Sequence, residues 1–251
     1  MRLMVGVTAY RFVVQRQLET QSDVSPHFDG VDLEAIEEIY LAYNTFGVGA
    51  AEALGTNLSK MKSLKVAGLS DIFGTRTIEE IPQALTSICT GLRSCPQLVE
   101  LNLSGNAFGA RVVQPLVPLL THHRSLQIIK IYDNGFGPEA GATVAKALIK
   151  SARRSREEGV PSNLRKNEAP PARRGWEYLI DVLESTPELE FLDLSDCVLP
   201  QPAVALTGVL AAGKVPRLRT LLLENNDIEK ESYGALSDAV LAHLPALHTS
   251  V

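Results

Sequence analysis

Side chains able to do chemistry of their own are sparse in this chain. The cysteines Cys89, Cys95 and Cys197 include no pair at metal-ligand spacing, and they are too few and too scattered for a disulfide framework. They read as buried thiols in a reducing compartment. The single histidine cluster is His122-His123. Adjacent residues on a helix point about 100° apart, so it makes a poor metal pair, and no metal site is expected. No nucleophile elbow, phosphate-binding loop or zinc signature occurs. What remains is charge. Arg76 sits within Ser70-Asp71-Ile72-Phe73-Gly74-Thr75-Arg76-Thr77-Ile78-Glu79-Glu80, where it is either a cation offered to a partner or a solvated surface charge. A second concentration, Arg153, Arg154, Arg156, Arg165, Lys166, Arg173 and Arg174, faces only Glu157, Glu158 and Glu168 and is broken by Pro161, Pro170 and Pro171. That composition reads as a basic, mobile connection. Such a run is ordinarily a solvated face, with nuclear targeting or an acidic partner as the functional alternatives.

The elements that position these charges follow from an internal repeat. Ile36-Ile39-Leu41-Asn44, Leu98-Leu101-Leu103-Asn106, Leu126-Ile129-Ile131-Asn134, Leu189-Leu192-Leu194-Cys197 and Leu218-Leu221-Leu223-Asn226 share the offsets 0, 3, 5 and 8. Leu64-Ala67-Leu69-Ile72 is a degraded copy. This is the leucine-rich repeat. Offsets 3 and 5 share one face of a short strand and point inward. The Asn or Cys at offset 8 stands where the chain leaves the strand, satisfying backbone groups of the bend. Asn44, Asn106, Asn134, Cys197 and Asn226 form this expected ladder. Helices are expected over Ala50–Leu58, Ile81–Leu92, Val112–Leu120 and Gly141–Ala152. One repeat cannot bury its own apolar face, so neighbours stack. The fold class is therefore α/β, a leucine-rich-repeat solenoid or horseshoe, with parallel strands on the concave face and helices on the convex face.

Repeat starts at 36, 64, 98, 126, 189 and 218 give steps of 28, 34, 28, 63 and 29 residues. Steps of 28 or 29 leave room for a full helix, as in the ribonuclease-inhibitor-like subtype. The step of 34 marks an enlarged strand-exit loop carrying Arg76. The step of 63 spans two repeats in length, yet no strand template lies between Ser151 and Gly175. A helix is expected to resume over Trp176–Leu183. The expected organisation is residues 1–35 as an N-terminal cap or flexible segment, 36–150 as four repeats, 151–174 as a basic loop or insertion, and 175–251 as C-terminal repeats. Leu244-Pro245-Ala246-Leu247 begins another strand. The solenoid end is thus expected to be incompletely covered, or the sequence to be a shortened version of a longer protein.

Composition removes other classes. At 251 residues, 45% apolar and 21% charged, the chain can bury a substantial core. No apolar run approaches the ~20 residues of a spanning helix, so no membrane partner is expected. A net charge of −5 gives no general reason to expect nucleic acid. The N-terminus lacks the marks of a signal peptide, so a cytoplasmic setting is expected, with a perinuclear or nuclear one as the alternative.

The segments IEEIYLAYNTFGVGAAEAL, LSDIFGTRTIEEIPQAL, LRSCPQLVELNLSGNAFG and YDNGFGPEAGATVAKAL resemble the Ran GTPase-activating protein family. The SDIF-x-x-R segment, with its acidic pair and IP, looks specific to that family. The good resemblance runs from about Ile36 to Ser151, with weaker similarity from about Gly175 to His248. It implies an activator of GTP hydrolysis on the small GTPase Ran, supporting nucleocytoplasmic transport. The implied role is that of a GTPase activator rather than an enzyme with its own active site. The implied partner is Ran in its GTP form, which would carry the GTP and magnesium; the chain itself would need no cofactor and act as a monomer. The resemblance places the family's important arginine on Arg76, without making it an arginine finger. The family's glutamine-positioning asparagine falls on Asp133, a departure, because a carboxylate only accepts hydrogen bonds. The alternative is a non-catalytic interaction module, a degenerate relative that binds without activating.

Geometry adds to this. Parallel strands lie ~4.8 Å apart, so the exit loops carrying Arg76 and Asp133 are expected on one edge, on the order of 10 Å from each other. Asp133 is expected either to pair with Arg76 or Lys130 and be harmless, or to mark weak or lost catalysis. Tyr43, Asp71, Gly105, Asp196 and Asn225 occupy the residue before the ladder position, and Thr75 lies on the enlarged loop. With Asn102 and Lys130 on the strands, Tyr43, Asp71, Thr75, Gly105 and Asp196 form the candidate partner-binding set. Glu38, Tyr40, Glu100, Asn102, Lys130 and Asp193 are expected to face out of the concave side as a second contact surface.

Overall fold

A computed structural model describes residues 8–12, 17–109, 112–160, 162–168, 178–195, 202–226, 228, 230–243 and 248–250. The chain divides into Met1–Leu126 with Lys130–Gly135, and Gln127–Ile129 with Phe136–Val251.

The first unit runs through β1 (Ala9–Arg11), β2 (Gln17–Leu18), α1 (Gln21–Phe28), β3 (Glu38–Tyr40), β4 (Thr45–Phe46), α2 (Val48–Leu58), β5 (Val66–Gly68), α3 (Glu80–Leu92), β6 (Glu100–Asn102) and α4 (Leu116–His122). β1, β3, β5 and β6 are parallel neighbours, with Ala9 opposite Glu38, Glu38 opposite Val66 and Val66 opposite Glu100. The middle residue of each repeat strand, Ile39, Ala67 and Leu101, is fully buried, as are Leu41, Leu69 and Leu103 two positions on. The offset rule thus sets both register and core. Residues before Ile36, which carry no repeat pattern, form a further parallel strand and a helix rather than a featureless lead. Tyr10 and Phe12 pack with Phe28 of α1, at ring separations of 5.3 and 5.8 Å. The Tyr10 hydroxyl donates to the His27 carbonyl. α2 and α3 pack so closely that a Cβ on Gly91 would collide with the Gly55 carbonyl, and one on Gly55 with that of Ser87. α4 starts later than the apolar pattern suggests, because Pro115 takes the N-cap position.

β7 (Ile128–Lys130) falls where the two units divide. The second unit holds α5 (Pro138–Glu157), β8 (Lys166–Glu168), α6 (Leu179–Ser185), β9 (Phe191–Asp193), α7 (Pro202–Ala211), β10 (Thr220–Leu222), α8 (Lys230–His243) and β11 (His248–Ser250). β8, β9, β10 and β11 are successive parallel neighbours. This corrects the expectation of a loop over 151–174. α5 continues to Glu157, and Lys166–Glu168 is a strand aligned with Phe191 and Leu192. Leu164 and Asn167 fill offsets 0 and 3 of a repeat, and both are buried. The template was hidden because a polar Asn stands at the inward position. Trp176, Asp196, Cys197 and 244–247 lie outside the described residues, as does most of the basic run beyond Glu168.

Each unit is a stack of strand–helix repeats: the fold is the leucine-rich-repeat α/β architecture. No helix among the described residues is long and apolar enough to cross a membrane.

Candidate functional site at the strand-exit edge

The expected ladder is built in the first unit. The amide of Asn106 donates to Leu103 O at 2.7 Å and Leu69 O at 3.0 Å, while its oxygen accepts from Ile72 N at 2.7 Å. Asn134 repeats this one rung on, donating to Ile131 O and Leu103 O and accepting from Asn106 N at 2.9 Å. Asn44 donates to Leu41 O and Phe12 O. In the second unit, Asn226 donates to Leu223 O and Leu194 O. Each buried amide thus satisfies backbone groups in its own and an adjacent rung.

Among the described residues, the residue before each ladder position is left-handed. φ is 65° at Tyr43, 49° at Asp71, 68° at Gly105, 53° at Asp133 and, in the second unit, 56° at Asn225. The ladder asparagine must turn inward immediately after an outward-facing residue, and this backbone conformation achieves it. Gly, Asp and Asn adopt it readily. Tyr43 does so with no local side-chain compensation, and its ring is 66% exposed. Backbone bonds lace the edge together: Tyr43 N donates to Asp71 O, Asp71 N to Ser104 O and Gly105 N to Tyr132 O. Tyr43, Asp71, Gly105, Tyr132 and Asp133 therefore lie along consecutive rungs. Tyr132 is 48% exposed and escaped the sequence reading, which singled out only the position after it.

Arg76 departs from expectation. Its side chain is only 5% exposed and points back into the N-terminal segment. Nη1 donates to both carboxylate oxygens of Glu19, at 2.8 and 2.7 Å. Nη2 donates to Leu18 O and Thr45 O, and Nε to Thr45 Oγ1. The guanidinium clamps the β2–β4 pair, in which Gln17 is opposite Thr45 and Leu18 opposite Phe46. Gly47 makes room for it, since a Cβ there would stand 2.7 Å from Glu19 Oε2 and 3.0 Å from Arg76 Nη1. Thr75 joins the cluster through Thr45 Oγ1 at 3.1 Å. Beyond it, Thr77 N donates to the Glu80 carboxylate. That backbone hydrogen bond is the main cause holding the Glu80 carboxyl below its ordinary range.

Neither expected pairing of Asp133 forms. Arg76 is taken by Glu19, and Lys130 Nζ lies 2.6 Å from Glu100 Oε1. Asp133 is exposed and makes no ion pair among the described residues. The concave residues are likewise engaged with one another. The Tyr40 hydroxyl donates to Glu38 at 2.9 Å, and the Arg11 guanidinium lies 4.2 Å from the Tyr40 ring centre. Burial, then that hydrogen bond, raises the Tyr40 pKa. Asn102 Oδ1 accepts from Ser104 N, an arrangement that Asp193 and Ser195 repeat in the second unit.

Among the described residues, the edge offers two exposed phenols, the carboxylate of Asp133 and polar backbone. Among the described residues no group of three metal-ligating side chains occurs. No family model matches the chain. Among curated proteins, the Ran GTPase-activating protein 1 of Saccharomyces cerevisiae is 30% identical over 150 residues, 58% of this chain and 37% of that protein. The Ran GTPase-activating protein 1 of Xenopus laevis is 36% identical over 137 residues, 53% of this chain and 24% of its own length. The chain thus matches well under half the length of these relatives. Among solved structures, a protein from Bacteroides fragilis aligns over 94% of this chain with a TM-score of 0.50 and 15% identity, a likeness of fold alone. The chain is a leucine-rich-repeat protein that, over somewhat more than half of its length, is similar to Ran GTPase-activating proteins.

Proposed function

We propose that the chain binds the small GTPase Ran in its GTP form and stimulates GTP hydrolysis in the cytoplasm, in support of nucleocytoplasmic transport. The observation that carries this reading is the run of left-handed, outward-facing residues from Tyr43 to Asp133 on consecutive rungs, in a chain whose relatives are named for that activity. Phosphoryl transfer needs positioning and charge stabilisation more than covalent help. With Arg76 engaged by Glu19, the edge contributes by positioning: it packs against the partner, excludes water and orients the partner's own catalytic groups. GTP and magnesium come with Ran, and the chain adds no cofactor. Asp133 accepts a hydrogen bond from an amide or hydroxyl of the partner; its charge must be kept from the γ-phosphate or compensated by the partner. Arg76 holds the edge in shape from behind.

The second reading, binding without activation, is favoured by one observation: Asp133 is exposed and makes no ion pair among the described residues, at a position where the resemblance implies an amide. Single-turnover hydrolysis by GTP-loaded Ran separates the two. The proposal expects acceleration on the order of 10²-fold or more. Binding without acceleration, reversed by Asp133→Asn, identifies the non-catalytic module. Neither binding nor acceleration defeats both.

A further inference from the structure

The basic run singled out in the sequence is absorbed by none of this, and the structure gives it a shape. Helix α5 buries Val144, Ala147, Leu148, Ala152 and Ser155 on one side. Lys146, Lys150, Arg153, Arg154 and Arg156 stand exposed on the other. Their spacing of three and four residues aligns Lys146, Lys150, Arg153 and Arg154 along one stripe, about 15 Å from first to last of the five. Lys146 is held 4.6 Å above the Tyr178 ring centre, and Arg153 bonds Glu157 at 2.9 Å. Among the described residues Lys150, Arg154 and Arg156 make no ion pair. A cavity of about 290 Å³ opens beside the end of the helix, lined by Ala152, Val160 and Pro187 with Arg156 and Glu188. Glu188 is already neutralised by Arg217 at 2.6 Å, which leaves Arg156 as the unpaired charge at the cavity.

We propose that this face docks an acidic peptide segment of a partner protein, its carboxylates on Lys150, Arg153 and Arg156, which follow one another at three-residue spacing, and one apolar side chain in the cavity. Charge complementarity selects the partner. The chain as a whole is negative, at −5, so it repels a long polyanion while this stripe attracts a short one. Glu157 and Glu158 sit among the bases, which disfavours a continuous phosphate backbone. A bilayer-bound helix needs its apolar face outward, and α5 has turned that face into its own core. The proposal is independent of the Ran reading, which concerns the first unit.

The test is fluorescence anisotropy with the whole chain and a labelled peptide of about a dozen Asp and Glu residues around one central Leu, at about 50 and about 300 mM salt, between which screening rises steeply. Saturable binding at low salt is expected. Lys150→Glu with Arg156→Glu, both at solvent-exposed positions and checked for fold by circular dichroism, weakens it about tenfold or more. Replacing the peptide's Leu by Ser weakens it about fivefold or more. Absence of saturable binding at low salt overturns the proposal, as does binding indifferent to both changes. Tighter binding of a single-stranded oligonucleotide of equal charge, or of phosphatidylserine vesicles, overturns it in favour of that partner class.

Discussion

Removing the Arg76 guanidinium tests whether this residue acts on a partner or on its own fold. The side chain is 5% exposed and directs five hydrogen bonds at three residues. Arg76→Ala leaves the Thr45 carbonyl short of a donor in a half-buried setting, at about 1 kcal/mol or more, and leaves the Leu18 carbonyl with Gly47 N alone, at about 0.5–1 kcal/mol. It also ends the ion pair with Glu19. That carboxylate is 51% exposed and screened, so this loss adds only about 0.5–1 kcal/mol. Lost packing of the buried stem contributes about another 1 kcal/mol. The sum is about 3–4 kcal/mol, read by urea denaturation, with faster amide exchange confined to the β2–β4 pair. Glu19→Gln costs about 1 kcal/mol or less. Activity in Arg76→Ala then falls together with order at this clamp, and Arg76→Lys recovers little because an ammonium lacks the fork. Unchanged stability and exchange in Arg76→Ala alongside lost activity would refute the reasoning, since the arginine would then be acting on the partner directly.

Three further outcomes follow from packing and burial. Gly91→Ala destabilises by about 1–3 kcal/mol through overpacking against Gly55, despite the better helix propensity of Ala, and is read as a lower urea midpoint. Asn167→Leu stabilises by about 1–2 kcal/mol: Asn167 Oδ1 is buried without a hydrogen-bond partner and the residue lies opposite Leu192. His123 is buried, with its Nε2 bonded to Leu92 O at 3.0 Å, and burial pushes its pKa down to about 4 from 6.5. The unfolded chain therefore takes up a proton near pH 6.5 that the folded chain refuses until about pH 4. This contribution to stability is intact above pH 6.5 and falls with pH across that window, by about 2–3 kcal/mol at pH 4.5. His123→Phe flattens that part of the stability–pH curve.

What could be read from the residues follows the physics of the repeat. Leu98, Leu101, Leu103 and Asn106 announce a strand and its exit because the inward positions and the buried amide have few substitutes. Where a repeat breaks its own rule, the template fails: Asn167 at an inward position hid β8 inside what read as a basic loop. The partner of Arg76 was illegible for a different reason. Glu19 lies 57 residues away in a segment without periodicity, and only the parallel pairing of β2 with β4 brings it under the enlarged loop. The pairing of Asp133 could not be decided from spacing, which places residues on an edge without saying which way long side chains turn. Lys130 leans to Glu100 on the adjacent strand and Arg76 to the N-terminus. The left-handed positions were foreseeable at Gly105 and Asn225, whose residue types favour them, but not at Tyr43.

The central claim is that the exposed edge, not the buried arginine, meets the partner. Tyr43→Ala and Asp133→Gly change exposed side chains at left-handed positions that the new residues take no less readily, and are expected to fold with a nearly unchanged urea midpoint. Measured by single-turnover hydrolysis on GTP-loaded Ran, each is predicted to lower the acceleration at least about tenfold. Full acceleration by both variants, at wild-type stability, would contradict the account.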